Sequence, residues 1–331
     1  MRKKLSKILV TGGAGFIGSA FVRLALRKGY KVIVADKLTY AADKARLADI
    51  EKEYKFYKAD ICDKRRMESI SREERPEAII NFAAETHVDR SIKNPGSFMA
   101  NNVLGIQVLL DISRISSAVK LIQISTDEVY GEISRGKFTE DSPLKPNSPY
   151  AASKAACDLL IKSYIRTYGF PAIVIRPCNN YGPWQYPEKF IPLAILKILR
   201  GEKIPVYGKG INVREWLYVT DCAEGILRIM EKGKIGETYN LGSGQESQNI
   251  DIAKTVIKIL KKDKKSIEFV QDRPGHDIRY SLSSRKVERE IGWQPKTDLS
   301  DGLIKLVDWC VKNRDWLFSK YRNVRLLYRG R

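Results

Sequence analysis

Short apolar runs alternate with helical periodicity along the first half of the chain. Residues 8–10 form the first apolar run, and after it apolar residues recur every three or four positions between residues 16 and 25. Further apolar runs follow at residues 32–35, 56–57, 78–80, 121–124 and 172–175. Strands that are apolar throughout and alternate with helices are typical of a parallel sheet covered on both faces. The pattern therefore predicts an α/β protein with a doubly wound parallel sheet.

The pattern loosens after Arg176. Prolines at positions 177, 183, 187 and 192 interrupt the chain around a helix predicted near residues 191–199. Residues 206–241 again show the features of strand, turn, helix and strand, and we expect part of this segment to return to the main sheet. The expected division is a sheet domain at residues 1–176 and a smaller C-terminal lobe at residues 177–331.

Composition excludes several classes of protein. No apolar run is long enough to span a bilayer, and residues 1–4 lead into a strand-like stretch rather than a leader, so we expect a cytoplasmic protein. The five cysteines are scattered and contain no Cys-x-x-Cys pair, which argues against a disulfide framework. The two histidines, His87 and His276, lie far apart, and we predict no protein-bound metal and no catalytic role for either.

The formal net charge is +20, and the basic residues are spread along the chain, with modest clusters at residues 261–265 and in the C-terminal tail. Nucleic-acid binding is one interpretation of such a charge, but no nucleic-acid-binding motif accompanies it. A charged surface around a site for a small anionic substrate is favoured. We therefore predict neither a nucleic-acid partner nor a membrane partner.

Glycines 12, 13, 15 and 18 lie between the first predicted strand and the first predicted helix. Glycine permits a tight turn, and the N-terminus of a helix offers unpaired N–H groups to an anion such as pyrophosphate. Asp36 ends the second predicted strand, where a carboxylate accepts hydrogen bonds from the adenosine ribose and repels a 2′-phosphate. These features predict a Rossmann-type site for NAD rather than NADP, although Lys37 next to Asp36 leaves NADP open.

Tyr150 and Lys154 are four residues apart at the start of a helix predicted at residues 150–168, so both side chains lie on one face. An ammonium close to a phenol lowers the pKa of the phenol, which would let Tyr150 act as a base toward a hydroxyl. Residues 125–128, Ser-Thr-Asp-Glu, follow a predicted strand, and the carboxyl end of a parallel strand faces the ligand crevice. The two adjacent carboxylates form either a solvated loop or an acid/base pair.

The glycine loop, Asp36, the hydroxyls at the strand end and the Tyr-x-x-x-Lys pair together resemble the extended short-chain dehydrogenase/reductases that act on nucleotide sugars. Within that family, five stretches are similar to the dTDP-glucose 4,6-dehydratases: AAETHVDRS at 83–91, STDEVYG at 125–131, NNYGP at 179–183, NVREWLYV at 212–219 and DRPGHD at 272–277. The resemblance covers about residues 5 to 310. Its most specific part is the Asp127–Glu128 pair, because epimerases of the family usually lack that pair.

The resemblance implies a lyase that converts dTDP-glucose to dTDP-4-keto-6-deoxyglucose by transient oxidation at C4 with NAD, loss of water across C5 and C6, and return of the hydride to C6. Tyr150 would take the proton of the 4-hydroxyl, with Lys154 and Thr126 assisting. Glu128 would remove the C5 proton, and a protonated Asp127 would give a proton to the departing 6-hydroxyl. Repulsion between neighbouring carboxyls favours keeping one of them protonated.

The resemblance also implies two sets of binding residues. The cofactor set is Gly12, Gly15, Phe16, Ile17, Gly18, Asp36, Lys37, Leu38, Thr39, Asp60, Ile61, Ala83, Ala84, Glu85, Asn101, Tyr150, Lys154 and Asn180. The nucleotide-sugar set is Thr86, Thr126, Asn179, Lys189, Pro205, Tyr207, Arg214, Asn249, Asp272 and His276.

Three sites depart from the family pattern. Thr86 stands where serine is commoner, Asn101 stands where threonine is expected, and Pro177-Cys178 stands where Cys-Ser is usual. We therefore expect an altered cofactor contact at Asn101 and a differently aimed Asn179.

Two alternative functions stay open. A UDP-sugar 4-epimerase or decarboxylase of the same family would share the cofactor and Tyr150 but would not eliminate water. A non-catalytic NAD-binding protein would need neither carboxylate. The choice between thymine and uracil nucleotides and the downstream pathway, which in this family often leads to rhamnose, are not determined by the sequence.

We also expect a homodimer. The helices near residues 102–113 and 150–168 carry apolar residues beyond a single stripe, namely Leu109, Leu110, Ala151, Ala152, Ala155, Ala156, Leu159 and Leu160. A helix that is apolar on more than one face needs a second partner. Related proteins pair these helices into a four-helix bundle.

Overall fold

A computed structural model describes residues 6–115 and 119–321 of the chain. Residues 1–4 and the basic tail, to which two of the expectations above refer, lie outside the described residues. The strands are β1 (Lys7–Thr11), β2 (Lys31–Asp36), β3 (Lys55–Lys58), β4 (Ala78–Asn81), β5 (Lys120–Ile124), β6 (Ala172–Pro177), β7 (Asn179–Tyr181), β8 (Ile204–Tyr207), β9 (Val213–Tyr218), β10 (Thr238–Leu241), β11 (Glu246–Gln248) and β12 (Ile267–Val270).

The α-helices are α1 (Phe16–Arg27), α2 (Lys64–Glu74), α3 (Val88–Lys93), α4 (Pro95–Phe98), α5 (Gly105–Ile115), α6 (Pro149–Tyr168), α7 (Phe190–Leu199), α8 (Val219–Lys232), α9 (Asn249–Ile259), α10 (Arg285–Ile291), α11 (Leu299–Lys312) and α12 (Arg314–Ser319). A π-helical stretch, Met99–Leu104, joins α4 to α5. In residues 6–115 and 119–321, no helix combines the length and the apolar character needed to cross a membrane.

Seven parallel strands form the central sheet in the order β10-β6-β5-β4-β1-β2-β3. The order reverses direction between β1 and β4, and ligands of doubly wound folds bind at that switch point, outside the carboxyl ends of the strands. The predicted doubly wound parallel sheet is confirmed. Its inner strands β1, β2, β4, β5 and β6 consist mainly of Ile, Val, Leu and Ala because side chains on both of their faces are covered by helices.

Each face of the sheet has its own apolar core. Alternate residues of β1 separate to the two sides, since Ile8 and Val10 pack with α1 and α8 whereas Leu9 packs with α2, α5 and α6. A third core joins α7, α9 and α11 in the C-terminal part of the chain. The molecule is therefore a three-layer sheet domain with an attached lobe whose core is separate.

The helix that carries the predicted tyrosine–lysine pair has defined ends. The Ser148 hydroxyl accepts a hydrogen bond from the backbone N–H of Ala151 at 3.1 Å, and Pro149 occupies the first helical turn. Gly169 ends the helix in the left-handed region with φ +61°. These caps place the start of α6, and with it the Tyr150 side chain, beside the carboxyl end of β5.

The C-terminal half of the chain contributes to both parts of the molecule. Within residues 206–241, the last four residues form β10 and extend the edge of the main sheet beside β6. The strands β11, β9 and β7 form a small separate sheet, and β12 pairs with β8. The division at residue 176 itself stays a prediction.

The two helices that we expect to form the dimer interface differ in how much of their apolar surface is exposed to solvent. Leu109 and Leu110 are fully buried inside the protomer, against the sheet. The expectation that these two residues need a partner is therefore wrong, because the helix is covered by its own sheet and by α2. On α6, Ala151 and Ala155 are also buried, whereas Leu159 is 56% exposed and Leu104, on the preceding helical stretch, is 51% exposed.

Candidate active site

A deep cleft lies at the carboxyl ends of β1, β2, β4, β5 and β6. All of the predicted cofactor residues except Leu38 line it, as do the predicted catalytic residues Thr126, Asp127, Glu128, Tyr150 and Lys154. Leu38 instead adopts a left-handed backbone conformation with φ +59°. The cleft therefore brings together residues that are spread along the sequence from Gly12 to Lys189, as expected for a crevice at a topological switch point.

The glycine loop between β1 and α1 leaves no room for side chains. A Cβ on Gly12 would lie 2.5 Å from the backbone nitrogen of Ala83, and a Cβ on Gly18 would lie 2.3 Å from the carbonyl oxygen of Gly12. The loop therefore packs closely against the segment that follows β4 and against the start of α1, where the first backbone N–H groups of a helix have no intrahelical acceptor. This cradle fits the pyrophosphate of a dinucleotide at the positive end of the α1 dipole.

Asp36, at the end of β2, is held by the backbone. One carboxylate oxygen accepts from the N–H of Ala14 at 3.0 Å, and the other accepts from the N–H of Leu38 at 2.8 Å. Burial raises the pKa of Asp36 and is the largest effect, while the two backbone hydrogen bonds oppose the rise. The carboxylate is thus fixed between the glycine loop and the cleft, where ribose hydroxyls could donate to it.

Lys37 is tied down by two neighbours. Its ammonium donates to the side-chain oxygen of Asn101 at 2.7 Å and to the carboxylate of Asp60 at 3.2 Å. Asn101 thus remains in the cleft lining and uses its amide oxygen to hold a lysine. The amide of Asn101 links the π-helical stretch to the loop after β2, and the altered cofactor contact expected at this position stays a prediction.

Tyr150 and Lys154 both face the cleft, but their electrostatic relation differs from the predicted one. The Lys154 ammonium donates to the carbonyl oxygen of Ile124 at 2.6 Å. Burial raises the pKa of Tyr150, as do the nearby carboxyls of Glu128 and Asp127, while a hydrogen bond with Thr126 opposes the rise. The pKa of Tyr150 is thus raised, contrary to the prediction that Lys154 lowers it, because loss of solvation is the largest effect, and burial also lowers the pKa of Lys154 itself.

Asp127 and Glu128 form a short 3₁₀ turn, Asp127–Tyr130, that is capped by the Thr126 side chain. Asp127 is fully buried, and burial, the charge of Glu128 and the charge of Glu215 raise its pKa well above the ordinary value. One of its oxygens is within 3.2 Å of the Thr126 hydroxyl, and the other has no hydrogen-bond partner among the described residues. The pair is therefore not a solvated loop, and Asp127 is suited to carry a proton at neutral pH.

Glu128 stands in a different electrostatic environment. Burial raises its pKa, but Arg273, Lys189 and Arg214 all oppose that rise. These three cations come from segments far apart in the sequence and converge on one carboxylate. Glu128 is thus easier to ionise than Asp127, which separates an acid from a base within one dipeptide.

The predicted nucleotide-sugar residues divide into two groups. Thr86, Thr126, Asn179 and Lys189 line the cleft, and Lys189 donates to the carbonyl oxygen of Thr86 at 2.9 Å. The remaining six residues lie outside that lining, namely Pro205, Tyr207, Arg214, Asn249, Asp272 and His276. Arg214, however, acts electrostatically on Glu128 and therefore borders the same region.

Several of those outer residues belong to one polar network of the C-terminal lobe. Tyr207 donates to the carboxylate of Asp89 at 2.8 Å, and Arg273 approaches the other oxygen of Asp89 at 3.3 Å. His276 lies 2.6 Å from Asp272 and packs edge-on against Tyr207. Burial lowers the pKa of His276 to about 4, so this histidine is neutral at physiological pH.

The stretch Pro177-Cys178 changes which donors and acceptors are available near the cleft. The backbone N–H of Cys178 donates to Leu241, and its carbonyl accepts from the Asn180 side chain at 2.9 Å. The side-chain oxygens of Asn179 and Asn180 are buried without a partner among the described residues. Both acceptors are therefore available to a ligand in the cleft.

Sequence reasoning missed several residues that line the cleft, including Ala41, Ala42, Arg46, Gln185, Tyr186 and Glu188. Glu188 could have been found from its position next to Lys189, and its carboxylate accepts from the hydroxyl of Tyr40 at 2.9 Å. Arg46 has no local signal, since a single arginine in a polar stretch is typical of a surface. Within the described ranges, no three His, Cys, Asp or Glu residues are grouped as metal ligands would be.

The comparisons with known proteins agree on one family. The profile of the GDP-mannose 4,6 dehydratase family matches residues 9–306. The chain is 44% identical to a dTDP-glucose 4,6-dehydratase of Xanthomonas campestris pv. campestris, with 93% of this chain and 94% of that protein covered. The crystal structure of a dTDP-glucose 4,6-dehydratase from Streptomyces venezuelae, with NAD bound, is similar with a TM-score of 0.91 at 46% identity, covering 94% of this chain and 98% of that one. A UDP-glucose 4-epimerase of Thermotoga maritima is similar with a TM-score of 0.88 at 32% identity, covering 93% and 99%.

Proposed function

The chain belongs to the GDP-mannose 4,6 dehydratase family, and on that premise we propose that its cleft dehydrates dTDP-glucose to dTDP-4-keto-6-deoxyglucose. The enzyme is an NAD-dependent hydro-lyase. The observation that carries this function is the buried carboxyl pair next to Tyr150. An epimerase has no water to eliminate and no use for a second, protonated carboxyl, so the pair favours the dehydratase over the epimerase alternative.

The glycine loop and Asp36 would hold the cofactor, and bound NAD supplies the acceptor and later the donor of one hydride. The cradle at Gly12 and Gly18 accepts a pyrophosphate without a side chain in the way. Asp36 would accept from the ribose hydroxyls and would repel a 2′-phosphate. Lys37 does not counter that repulsion, because Asp60 and Asn101 hold its ammonium.

Tyr150 would remove the proton of the sugar 4-hydroxyl at the start of the cycle. Because burial raises the pKa of this phenol, its ionisation needs a compensating positive charge, which Lys154 and the oxidised cofactor would provide. Thr126 would donate a hydrogen bond that steadies the ionised phenol. Because the product keeps its 4-ketone, the proton taken by Tyr150 does not return to O4 and is instead released to solvent, while Asp127 regains a proton from solvent before the next cycle.

Glu128 and Asp127 would carry out the elimination. The 4-ketone acidifies the proton on C5, and Glu128, whose raised pKa is opposed by the charges of three cations, is the carboxylate suited to remove it. Asp127, with its raised pKa, is suited to deliver a proton to the leaving 6-hydroxyl as water departs. A positioned acid or base typically contributes about a hundredfold to ten-thousandfold in rate.

One experiment tests both the reaction and the preference for a particular nucleotide. The purified protein is incubated separately with dTDP-glucose, UDP-glucose and GDP-mannose, and the mass of each product is measured. Only the true substrate should lose water. With dTDP-glucose that carries deuterium on C4, the label should reappear on C6, and reaction in heavy water should place deuterium on C5. A product of unchanged mass with an inverted C4 would support an epimerase and contradict the dehydratase.

Cofactor identity is tested by release. Because the hydride returns within one cycle, the enzyme has no need to exchange its cofactor, and denaturing the purified protein should release mainly NAD. Asp36→Asn removes the charge that repels a 2′-phosphate, so the discrimination against NADP should fall. Recovery of chiefly NADP from the wild-type protein would contradict the role of Asp36.

We further propose a homodimer formed through α6 and the helical stretch before α5. Ala152, Ala156 and Leu159 follow one another at helical spacing and remain partly or largely exposed, and Leu104 is exposed nearby. Light scattering should give twice the mass of the chain. Leu159→Lys should yield a monomer at micromolar concentration, while Ile304→Lys, at an exposed residue of α11, should leave the dimer intact.

Two broader assignments complete the proposal. Residues 1–176 chiefly bind the cofactor, and residues 177–331 chiefly bind the nucleotide sugar.

A cytoplasmic location is supported by the cysteines, which are all present as free thiols, as is typical of proteins in a reducing compartment. Cell fractionation with an antibody to the protein would test the location.

A further inference from the structure

Residues 37–46, which we name the strap, cross the cofactor end of the cleft after β2. Lys37, Thr39, Ala41, Ala42 and Arg46 of the strap all contribute to the lining. Near its start, Leu38 has a φ of +59°, which is uncommon for a residue with a bulky side chain. Backbone strain of this kind persists only where the surroundings enforce it.

Arg46 connects the strap to two other parts of the protein. Its side chain is fully buried and donates to the carbonyl oxygens of Ala14 and Ala41, both at 2.7 Å, and to that of Trp184 at 3.1 Å. Ala14 belongs to the glycine loop, and its carbonyl also accepts from the N–H of Asp43 at 3.0 Å. The loop that would cradle the pyrophosphate is thus fixed from the strap side by two donors.

The C-terminal helix holds the same segment from outside. The indole N–H of Trp316 donates to the Asp43 carboxylate at 2.8 Å, and Lys320 pairs with the same carboxylate oxygen at 2.7 Å. Trp316 also packs edge-on against Trp184 at a ring separation of 5.1 Å. Trp184 has φ +69°, a second strained backbone position in this small region.

We propose that Arg46, Asp43, Trp184 and Trp316 form a latch that holds the strap closed over the cofactor and slows the release of NAD. These are positioning residues, since they act through the strap and the glycine loop. The proposal rests on the assignment of NAD to this cleft. It gives the C-terminal helix, which lies outside the reacting end of the site, a role in retaining the cofactor.

The experiment measures exchange of bound NAD. Purified holoenzyme is mixed with an excess of radiolabelled NAD, samples are desalted at intervals, and the label retained per protein is counted. Arg46→Met removes the two hydrogen bonds that join the strap to Ala14 and Trp184, and exchange should accelerate about tenfold or more, the ratio that corresponds to about 1.4 kcal/mol. Arg46→Lys, which keeps one charged donor, should restore part of the slow exchange.

Trp316→Phe is the sharper variant because it keeps an aromatic ring and removes only the donor to Asp43. Its matched control is Trp293→Phe, which removes the indole hydrogen bond to the carbonyl of Asp221 at 3.1 Å, in the buried core near α8. Trp316→Phe should exchange NAD about threefold faster than the wild type, and Trp293→Phe should match the wild type, even where the control lowers the melting temperature more. If Trp316 only stabilised the fold, Trp316→Phe would lower the melting temperature without accelerating NAD exchange.

Two results would overturn the latch. One is wild-type exchange in both Trp316→Phe and Lys320→Met, which are substitutions at partly exposed positions and decide the matter even if Arg46→Met does not fold. The other is equal acceleration in Trp293→Phe. If the wild-type protein neither contains nor takes up NAD, both the latch and the cofactor assignment fail. If the wild type retains NAD and the latch variants retain it equally long, only the latch fails.

Discussion

The two ends of the cleft recognise negatively charged groups by different means. At the cofactor end, the glycine loop presents backbone N–H groups at the start of α1, and Asp36 is itself held by two backbone N–H groups. At the substrate end, Lys189, Arg214 and Arg273 converge on Glu128. Backbone groups offer fixed dipoles at no cost of side-chain ordering, whereas cations offer strong attraction that bulk salt weakens.

The difference suits the different lifetimes of the two ligands. A cofactor that is regenerated in each cycle can be enclosed by close packing and a strap, because it need not leave. A nucleotide sugar must enter and leave in every turnover, and long-range attraction by side-chain cations speeds its capture. Raising the salt concentration should therefore raise the KM for the nucleotide sugar while leaving the NAD content of the protein unchanged.

The largest effect should come from the catalytic carboxylate. Glu128→Gln keeps the shape but removes the base, and turnover should fall about a hundredfold to ten-thousandfold. Oxidation at C4 does not require this base, so absorbance of reduced cofactor should still appear after substrate is added. Glu268→Gln, at an exposed position on β12, is the control and should keep full activity. A Glu128→Gln enzyme that dehydrates at nearly the original rate would contradict the mechanism.

The next effect should separate substrate binding from cofactor binding. Arg214→Met removes one of the cations at the substrate end, and the KM for the nucleotide sugar should rise about tenfold or more, since an arginine–phosphate contact is a charge-assisted hydrogen bond. The NAD released on denaturation should be unchanged. Arg228→Met, which removes an arginine paired with Glu224 on α8, is the control for loss of a positive charge. Loss of NAD from Arg214→Met would show that the two ends are not independent.

Asp127 should lower the stability of the fold as the pH rises. Its pKa in the folded protein is raised above the unfolded value, so the folded state binds the proton more tightly. The contribution of Asp127 to stability is fully present below the pKa that this carboxyl has in the unfolded chain. It is lost as the pH rises through the pKa that the carboxyl has in the folded protein. Asp127→Asn cannot ionise and should melt a few degrees higher than the wild type at pH 8, a difference of about 1–2 kcal/mol, and the gap should narrow at pH 4. An equal gap at both pH values would contradict the raised pKa.

The smallest effect should arise at the cofactor end, from Asn101. Asn101→Thr shortens the side chain that holds Lys37, so the ammonium should gain freedom to reach a 2′-phosphate. The preference for NAD over NADP should then fall about twofold, an amount in keeping with one exposed hydrogen bond. Competition binding of the two cofactors to the apo protein would measure it. An unchanged preference would show that Asp60 alone holds Lys37.

Much of the cofactor end was predictable because its residues are close in sequence. The glycines before α1, Asp36 at the end of β2 and the pair Tyr150 and Lys154 each follow from a strand or helix that local apolar periodicity predicts. A parallel sheet then brings the carboxyl ends of its strands to one edge without further information. The family resemblance extended this reasoning to Asp127 and Glu128.

What the sequence by itself determined was therefore the order of the elements, the residues at the strand ends and the chemistry that they can perform. Only the tertiary structure decided the electrostatics. The pKa of Tyr150 is raised chiefly because the phenol is buried, and Leu109 and Leu110 are buried by the protomer's own sheet. Arg46 contacts the glycine loop across 32 residues of sequence and Trp184 across 138 residues. Burial and long-range hydrogen bonds depend on how distant segments pack, and local sequence patterns do not predict that packing.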